Sequence, residues 1–172
     1  VEHGNFLSID TAKVMNDHDA HLVPTLVTYE ADAKYGPSFG WNEENSSKNA
    51  EVLSAGLTSL ENALSNNVNV GYGTDLCWSP KSYQGDGLLI HEKVCGAAEA
   101  LRHCTLNNAR IVRMEGKIGE ITAGAHADLV VLDTNPLKSM NCFSQKSNSI
   151  VAVLQGGIPV SYTHLTLPTT TI

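Results

Sequence analysis

The run Val68-Asn69-Val70-Gly71-Tyr72-Gly73-Thr74-Asp75 limits the folds open to this chain more than any other stretch. Apolar side chains alternate at Val68 and Val70, as in a strand packed on a core, and two glycines then lead to a lone acid at the strand's end. Just upstream, Leu53, Leu57, Leu60 and Leu64 recur at helical spacing, which predicts an amphipathic helix over Ala50 to Asn66. Further upstream lies HLVPTLVTY, His21 to Tyr29, an apolar, β-branched run of the kind buried on both faces of a parallel sheet. Pro24 cannot donate to a ladder, so it belongs at the start of that strand or at an irregularity. Ser8 as a cap and Asp10 in a first turn predict a helix from Ile9 to about His18, with Ile9, Ala12 and Met15 on its buried face. Val1 to Phe6 reads as a strand end that turns at Gly4. Strand, helix, strand, loop, helix, strand is the order of parallel βαβ units with right-handed crossovers, so the predicted class is α/β.

The segments between and beyond fill in the plan. Glu30 to Ser47 carries Gly36-Pro37, Gly40-Trp41, Asn and Ser, and predicts a long loop of the kind that often serves as a lid. Leu76 to Gln84, with Trp78, Pro80 and Tyr83, predicts a second loop on the same rim. Leu88 to about Met114 reads as helices broken near Gly96. After the glycines of Gly116 to Ala127 the character changes to short strands, Asp128 to Asp133, Ile150 to Leu154 and Ile158 to Val160, the last two joined through Gly156-Gly157. The chain thus divides into an α/β part over 1–115, a β appendage over 116–160, and a tail over 161–172. That tail, SYTHLTLPTTTI, holds five threonines without continuing the pattern and reads as non-native sequence.

Charge narrows the partners. Eleven Lys and Arg against eighteen Asp and Glu give a net charge of -7 with no block of like sign, which argues against nucleic acid or an anionic membrane as partner. No apolar run approaches the roughly 20 residues of a membrane span. The four cysteines, Cys77, Cys95, Cys104 and Cys142, show no C-x-x-C spacing and predict reduced thiols in a cytoplasmic protein. The chain opens at Val1 inside an element, and the expectation is a fragment of something longer.

Two residues stand out for chemistry. His3 closes one strand and Asp75 another, and at the C-terminal rim of a parallel barrel that is where chemistry sits. Imidazole and carboxylate both suit zinc-type ions, and a carboxylate beside a metal can take a proton from water. By spacing alone one histidine and one acid do not make a metal site, and strand-end acids also cap turns. His91-Glu92 opens like H-E-x-x-H, but Cys95 stands where the second ligand is needed, so His91 is expected on a helix surface. His18 and His21 read as exposed, His103 as core, and His126 as remote from the rim. Cys77 reads as a buried spectator thiol, with no neighbouring cation to activate it. Tyr29, Trp78 and Tyr83, with Gln84, follow strand ends and are candidate substrate-pocket residues; packing between loops is the equal alternative.

Several short motifs, in order, carry a resemblance: Val1-Glu2-His3-Gly4-Asn5-Phe6-Leu7, Val23-Pro24-Thr25-Leu26, Gly73-Thr74-Asp75, Glu99-Ala100-Leu101-Arg102 with Asn108-Ala109, and Gly119 to Pro136. Up to about Val160 the chain resembles metal-dependent amidohydrolases, in the branch of imidazolonepropionase-like enzymes and Xaa-Arg, Xaa-Lys or Xaa-Pro dipeptidases. The resemblance implies the C-terminal part of a distorted (β/α)8 barrel, strands six to eight with their helices, and part of a β-sandwich. It implies that His3 is a metal ligand and that Asp75 is both a ligand and the base toward a metal-activated water. It further implies one or two divalent ions, zinc by default, and a dipeptide or N-acyl amino acid substrate. The remaining ligands of the family pattern would precede Val1, so this chain supplies at most two, too few for a catalytic zinc site by itself. The expectation is therefore a fragment inactive alone, with a homo-oligomer admitted for the full-length protein. A cyclic-amide hydrolase and a catalytically silent scaffold of the same fold are the alternatives.

Overall fold

The computed structural model describes residues 1–77 and 80–162. Helix α1, Ile9–Asp17, starts as expected: the Ser8 hydroxyl accepts from the Thr11 N–H, and Asp10 lies in the first turn. Ala12 and Met15 are buried, but Ile9 is 52% exposed, so the buried stripe is narrower than the pattern implied.

Strand β1 is only His21–Leu22, and the expected strand through Tyr29 is corrected. Pro24 has no N–H and so removes one ladder donor beyond β1, and from Leu26 the same apolar residues continue as helix α2, Leu26–Tyr35. Leu26, Val27 and Ala31 are buried in helical form. The close packing of α2 needs Gly56 on helix α3, Glu43–Ser65, where a Cβ would come within 2.5 Å of Leu26 Cδ2. Helix α3 also begins earlier than the leucine pattern suggested. Asn42 and Asn45 exchange side-chain to backbone bonds in a capping box, and Glu43 and Glu44 sit favourably in the first turn. The expected long loop over Glu30 to Ser47 is thus mostly helix, with a 3₁₀ turn at Gly36–Phe39 between α2 and α3.

Strand β2, Asn69–Val70, runs parallel to β1, with His21 opposite Asn69 and Leu22 opposite Val70. On the far side of β1, Glu2 bridges Val23 in parallel, and the His3 N–H donates to the Val23 carbonyl at 3.0 Å. Three extended segments therefore lie side by side and parallel, the Val1 to His3 segment, β1 and β2. The ladder between β1 and β2 continues through Gly71 N–H to Leu22 O (2.8 Å) and Gly73 N–H to Pro24 O (3.3 Å), up to the approach to Asp75. Leu22, Val70, Leu26, Leu60 and Ala63 pack between this sheet and α1 to α3.

After a 3₁₀ turn at Lys81–Gly85 come helices α4, Asp86–Cys95, and α5, Ala97–Arg102, broken at Gly96, whose φ of 80° suits glycine. A π-helical turn, His103–Asn107, follows and leads into α6, Asn108–Ile111. The expectation of a surface position for His91 is corrected, because it is 1% exposed on the face of α4 that meets the following turn. Its Nδ1 lies 2.8 Å from Nδ1 of His103, which is fully buried as expected. Tyr72 sits edge-on to His91, with centroids 5.3 Å apart. The appendage is an antiparallel sheet, β3 (Leu129–Leu132), β4 (Ile150–Gln155) and β5 (Ile158–Tyr162), in that order. Gly156 and Gly157, with φ of 57° and 80°, turn the hairpin between β4 and β5. Ser161 and Tyr162 still pair, with Val153 and Ala152; residues 163–172 lie outside the described part.

Candidate metal and proton-transfer site

His3 and Asp75 are 72 positions apart in sequence, and the parallel sheet brings them together at its C-terminal rim. His3 Nδ1 lies 3.8 Å from Asp75 Oδ2, each side chain about half exposed. Both residues adopt left-handed backbone, φ 62° and 48°, a conformation that costs a non-glycine residue energy and turns each side chain off its strand. Gly4, also at φ 60°, completes the turn after His3 and lets the chain pass Leu22, which a Cβ there would meet at 2.5 Å.

Thr25, the residue that opens helix α2 just beyond β1, sets the histidine's orientation. Its Oγ1 is 2.8 Å from His3 Nδ1. A proton on Nδ1, donated to the Thr25 hydroxyl, leaves the Nε2 lone pair free, the arrangement a metal-binding imidazole requires, with the Asp75 carboxylate 3.8 Å from Nδ1. The Asp75 carboxylate accepts one further contact, from the Cys77 thiol to Oδ1 at 3.4 Å. Cys77 is exposed, which corrects the expectation of burial, and the Asp75 carboxylate beside it pushes its thiol pKa up, opposite to activation.

The substrate-pocket candidates separate. Tyr29 stays with the rim: its hydroxyl accepts from Asn5 Nδ2 at 2.6 Å, two residues beyond His3, and its carbonyl accepts from Asn49 Nδ2 at 2.8 Å. Tyr83 is buried elsewhere. Its hydroxyl accepts from Lys34 Nζ at 2.7 Å, and its ring meets Tyr35 edge-on at 5.7 Å. The Lys34 hydrogen bond holds the Tyr83 hydroxyl below its ordinary pKa, and the same contact raises that of Lys34. Tyr83 and Lys34 line a cavity of about 580 Å³ with Asp86, Ile90 and Gln145, and neither His3 nor Asp75 borders it. Trp78 lies outside the described residues.

No group of three or more His, Cys, Asp or Glu poised for a metal occurs among the described residues. The His3 imidazole and the Asp75 carboxylate near it are donor types that suit a divalent ion. Nothing in the sequence signals that Thr25 bonds His3 or that Asn107 and Asn108 bond the strand leading to Asp75. Asn108 and Thr25 fall within the short motifs, but their roles depend on contacts over 22 and 36 residues that no local pattern carries.

The parallel sheet thus carries an imidazole and a carboxylate at its C-terminal rim, where α/β folds of this kind place their chemistry. The chain belongs to the amidohydrolase family, whose model matches residues 1–160. Among solved structures it is similar to a prolidase complexed with N-methylphosphonate-L-proline, at 41% identity and a TM-score of 0.86 over 94% of this chain and 40% of that one. A Xaa-Pro dipeptidase with bound methionine shares the fold at 22% identity and a TM-score of 0.80, over 94% of this chain and 39% of that one. Among curated relatives, a 5-methylthioadenosine/S-adenosylhomocysteine deaminase of Acetivibrio thermocellus is 29% identical over 126 residues, 62% of this chain and 29% of that protein. The chain thus spans well under half the length of these relatives.

Proposed function

We propose that this chain is the C-terminal part of a hydrolase that uses a divalent ion to cleave the amide C–N bond of a dipeptide or N-acyl amino acid. The observation that carries the reading is the convergence of His3 and Asp75 at 3.8 Å, from extended segments on either side of β1, with Thr25 orienting the imidazole. In this reading the segments are strands six to eight of a (β/α)8 barrel, β3 to β5 belong to a β-sandwich, and the other ligands lie in the upstream part of the protein.

His3 Nε2 and the Asp75 carboxylate would hold the ion, with zinc the natural choice for this donor pair. When bound, the ion supplies acidity to a water and polarises the substrate carbonyl. Asp75 accepts the proton as the water oxygen bonds to the carbonyl carbon. It then delivers that proton to the amine nitrogen as the C–N bond breaks, which releases an amine and a carboxylate. Thr25 keeps the His3 ring fixed through both steps. Tyr29, immobilised by Asn5 and Asn49, would border the substrate; Tyr83, engaged by Lys34, would shape a neighbouring loop region.

The likeness to a proline-dipeptide hydrolase at 41% identity favours an amide substrate. Similarity to deaminases at 29% identity supports a second reading, in which the leaving group is ammonia from a purine ring. The test is a panel of Xaa-Pro and Xaa-Arg dipeptides, N-acetyl amino acids and 5-methylthioadenosine, offered to the protein extended upstream of Val1. Free amino acid released from a dipeptide or N-acetyl compound is the expected result. Ammonia from the nucleoside with every amide intact would overturn it in favour of the deaminase reading. Inertness toward all of them would overturn both and leave the scaffold alternative.

A further inference from the structure

The strand that carries Asp75 has two edges, and they are served differently. Gly71 and Gly73 face β1 and donate to Leu22 O and Pro24 O. Val70 and Tyr72, the alternate residues, present their N–H and C=O groups on the opposite edge. That edge is met by two consecutive asparagine side chains at the end of the π-helical turn. Asn107 Nδ2 donates to Val70 O at 2.8 Å, Asn108 Nδ2 donates to Tyr72 O at 2.9 Å, and Asn108 Oδ1 accepts from Tyr72 N–H at 2.9 Å. The Asn108 amide thus bonds a strand residue as a neighbouring strand would, through one donor and one acceptor.

We infer that Asn108, supported by Asn107, is a positioning residue for Asp75, holding the glycine-flanked strand end so that the carboxylate stays aligned with His3. This rests on the functional reading above, in which Asp75 moves the proton. Three observations carry it. Glycines on both sides of Tyr72 make this segment intrinsically loose, so it needs an external constraint. Gly71 also has a steric reason to be glycine, because a Cβ there would lie 2.4 Å from Asn108 Oδ1 and 2.6 Å from Ile111 Cδ1. Asp75 has little anchoring of its own: it is about half exposed, in left-handed backbone, and among the described residues its one close side-chain donor is the exposed Cys77 thiol. The π-helical turn His103–Asn107 ends where both amides reach the strand, and such turns are frequent where a helix must aim side chains at a site.

The experiment compares Asn108→Ala, Asn108→Asp and Asn107→Ala in the metal-loaded, upstream-extended protein. It measures kcat and KM on whichever dipeptide the wild type cleaves, together with amide exchange at Gly73. A misaligned base costs turnover and not ground-state binding, so Asn108→Ala should lower kcat at least about tenfold with KM within about twofold. Asn108→Asp keeps the acceptor for Tyr72 N–H and should restore part of the loss; Asn107→Ala should fall between it and wild type. The Gly73 amide should exchange at least about tenfold faster in Asn108→Ala while core amides of α3 are unchanged. A lowered melting temperature with kcat per folded molecule and Gly73 exchange both within about twofold of wild type would overturn the inference, because it describes a merely structural contact. If Asn108→Ala does not fold, Asn108→Asp is judged by the same two readouts. The exchange result stands without turnover: a wild type that cleaves neither dipeptides nor N-acyl amino acids refutes the functional reading, whereas faster exchange at Gly73 still supports the clamp.

Discussion

The buried histidine pair makes this protein's stability steeply dependent on pH. His91 and His103 share a hydrogen bond between their Nδ1 atoms at 2.8 Å, so one ring donates and the other accepts, and both are neutral. Among the described residues His103 Nε2 is buried without a hydrogen-bond partner, since Glu99 Oε1 at 3.7 Å is too far. An empty lone pair there is less costly than a stranded N–H, which assigns the shared proton to His103 Nδ1. Burial pushes the His91 pKa down to about 3, helped by His103, and that of His103 down to about 4. The Tyr72 ring, the half-exposed Glu99 and the thiols of Cys95 and Cys104 face or adjoin the pair, and burial drives Tyr72 and both thiols upward, so they stay neutral. In the unfolded chain both imidazoles regain a pKa near 6.5, above their folded values. The unfolded state therefore binds more protons below that pH: the stability is fully present above about pH 7 and is lost as pH falls toward 4. Uptake of up to two protons on unfolding gives a slope approaching about 3 kcal/mol per pH unit between roughly pH 4.5 and 6, on the order of 4 kcal/mol across the window. That is comparable to the whole stability of an ordinary domain. The assay is denaturant unfolding at half-unit pH steps for wild type and for His91→Asn/His103→Asn, whose amides reach the Nδ1 positions but do not titrate. The wild-type slope should exceed that of the double variant by about the stated amount. Equal slopes would refute the reasoning.

Two further outcomes follow from single contacts. Gly85→Ala would place a Cβ 1.8 Å from the Phe143 carbonyl oxygen, and because that neighbour is backbone, unfolding free energy should fall by about 3 kcal/mol or more, read by denaturant titration. Thr25→Val keeps the shape but removes the partner of His3 Nδ1, so metal affinity in the upstream-extended protein should weaken by about 10–100-fold in a chelator competition, with Thr25→Ser restoring it.

Much of the frame could be seen in the chain itself, wherever a local cause acts. Ser8 starts α1, Gly96 separates α4 from α5, and Gly156-Gly157 turns the last hairpin, because each satisfies a local backbone requirement. The β-branched run after His21 misled because composition cannot say where extended backbone gives way to helix; from Leu26 the chain is helical, packed against Gly56 of α3. The true start of α3 was signalled by Asn42, Glu43 and Asn45, outside the leucine stripe. At the site, His3 and Asp75 were legible as strand-end residues in family motifs. Thr25, Asn107 and Asn108 were not, because their bonds depend on register and on a π-helical turn. His91 misled for the same reason: its partner is twelve residues away, across a helix break.

The most direct test of the central claim is bound metal by elemental analysis on the upstream-extended protein, paired with dipeptide hydrolysis by wild type and Asp75→Ala. One or two equivalents of a divalent ion, with hydrolysis at least about a thousandfold slower in Asp75→Ala, is the predicted result for a residue that is both ligand and base. A metal-free protein with His3 and Asp75 intact, or an Asp75→Ala variant at the wild-type rate, would contradict it.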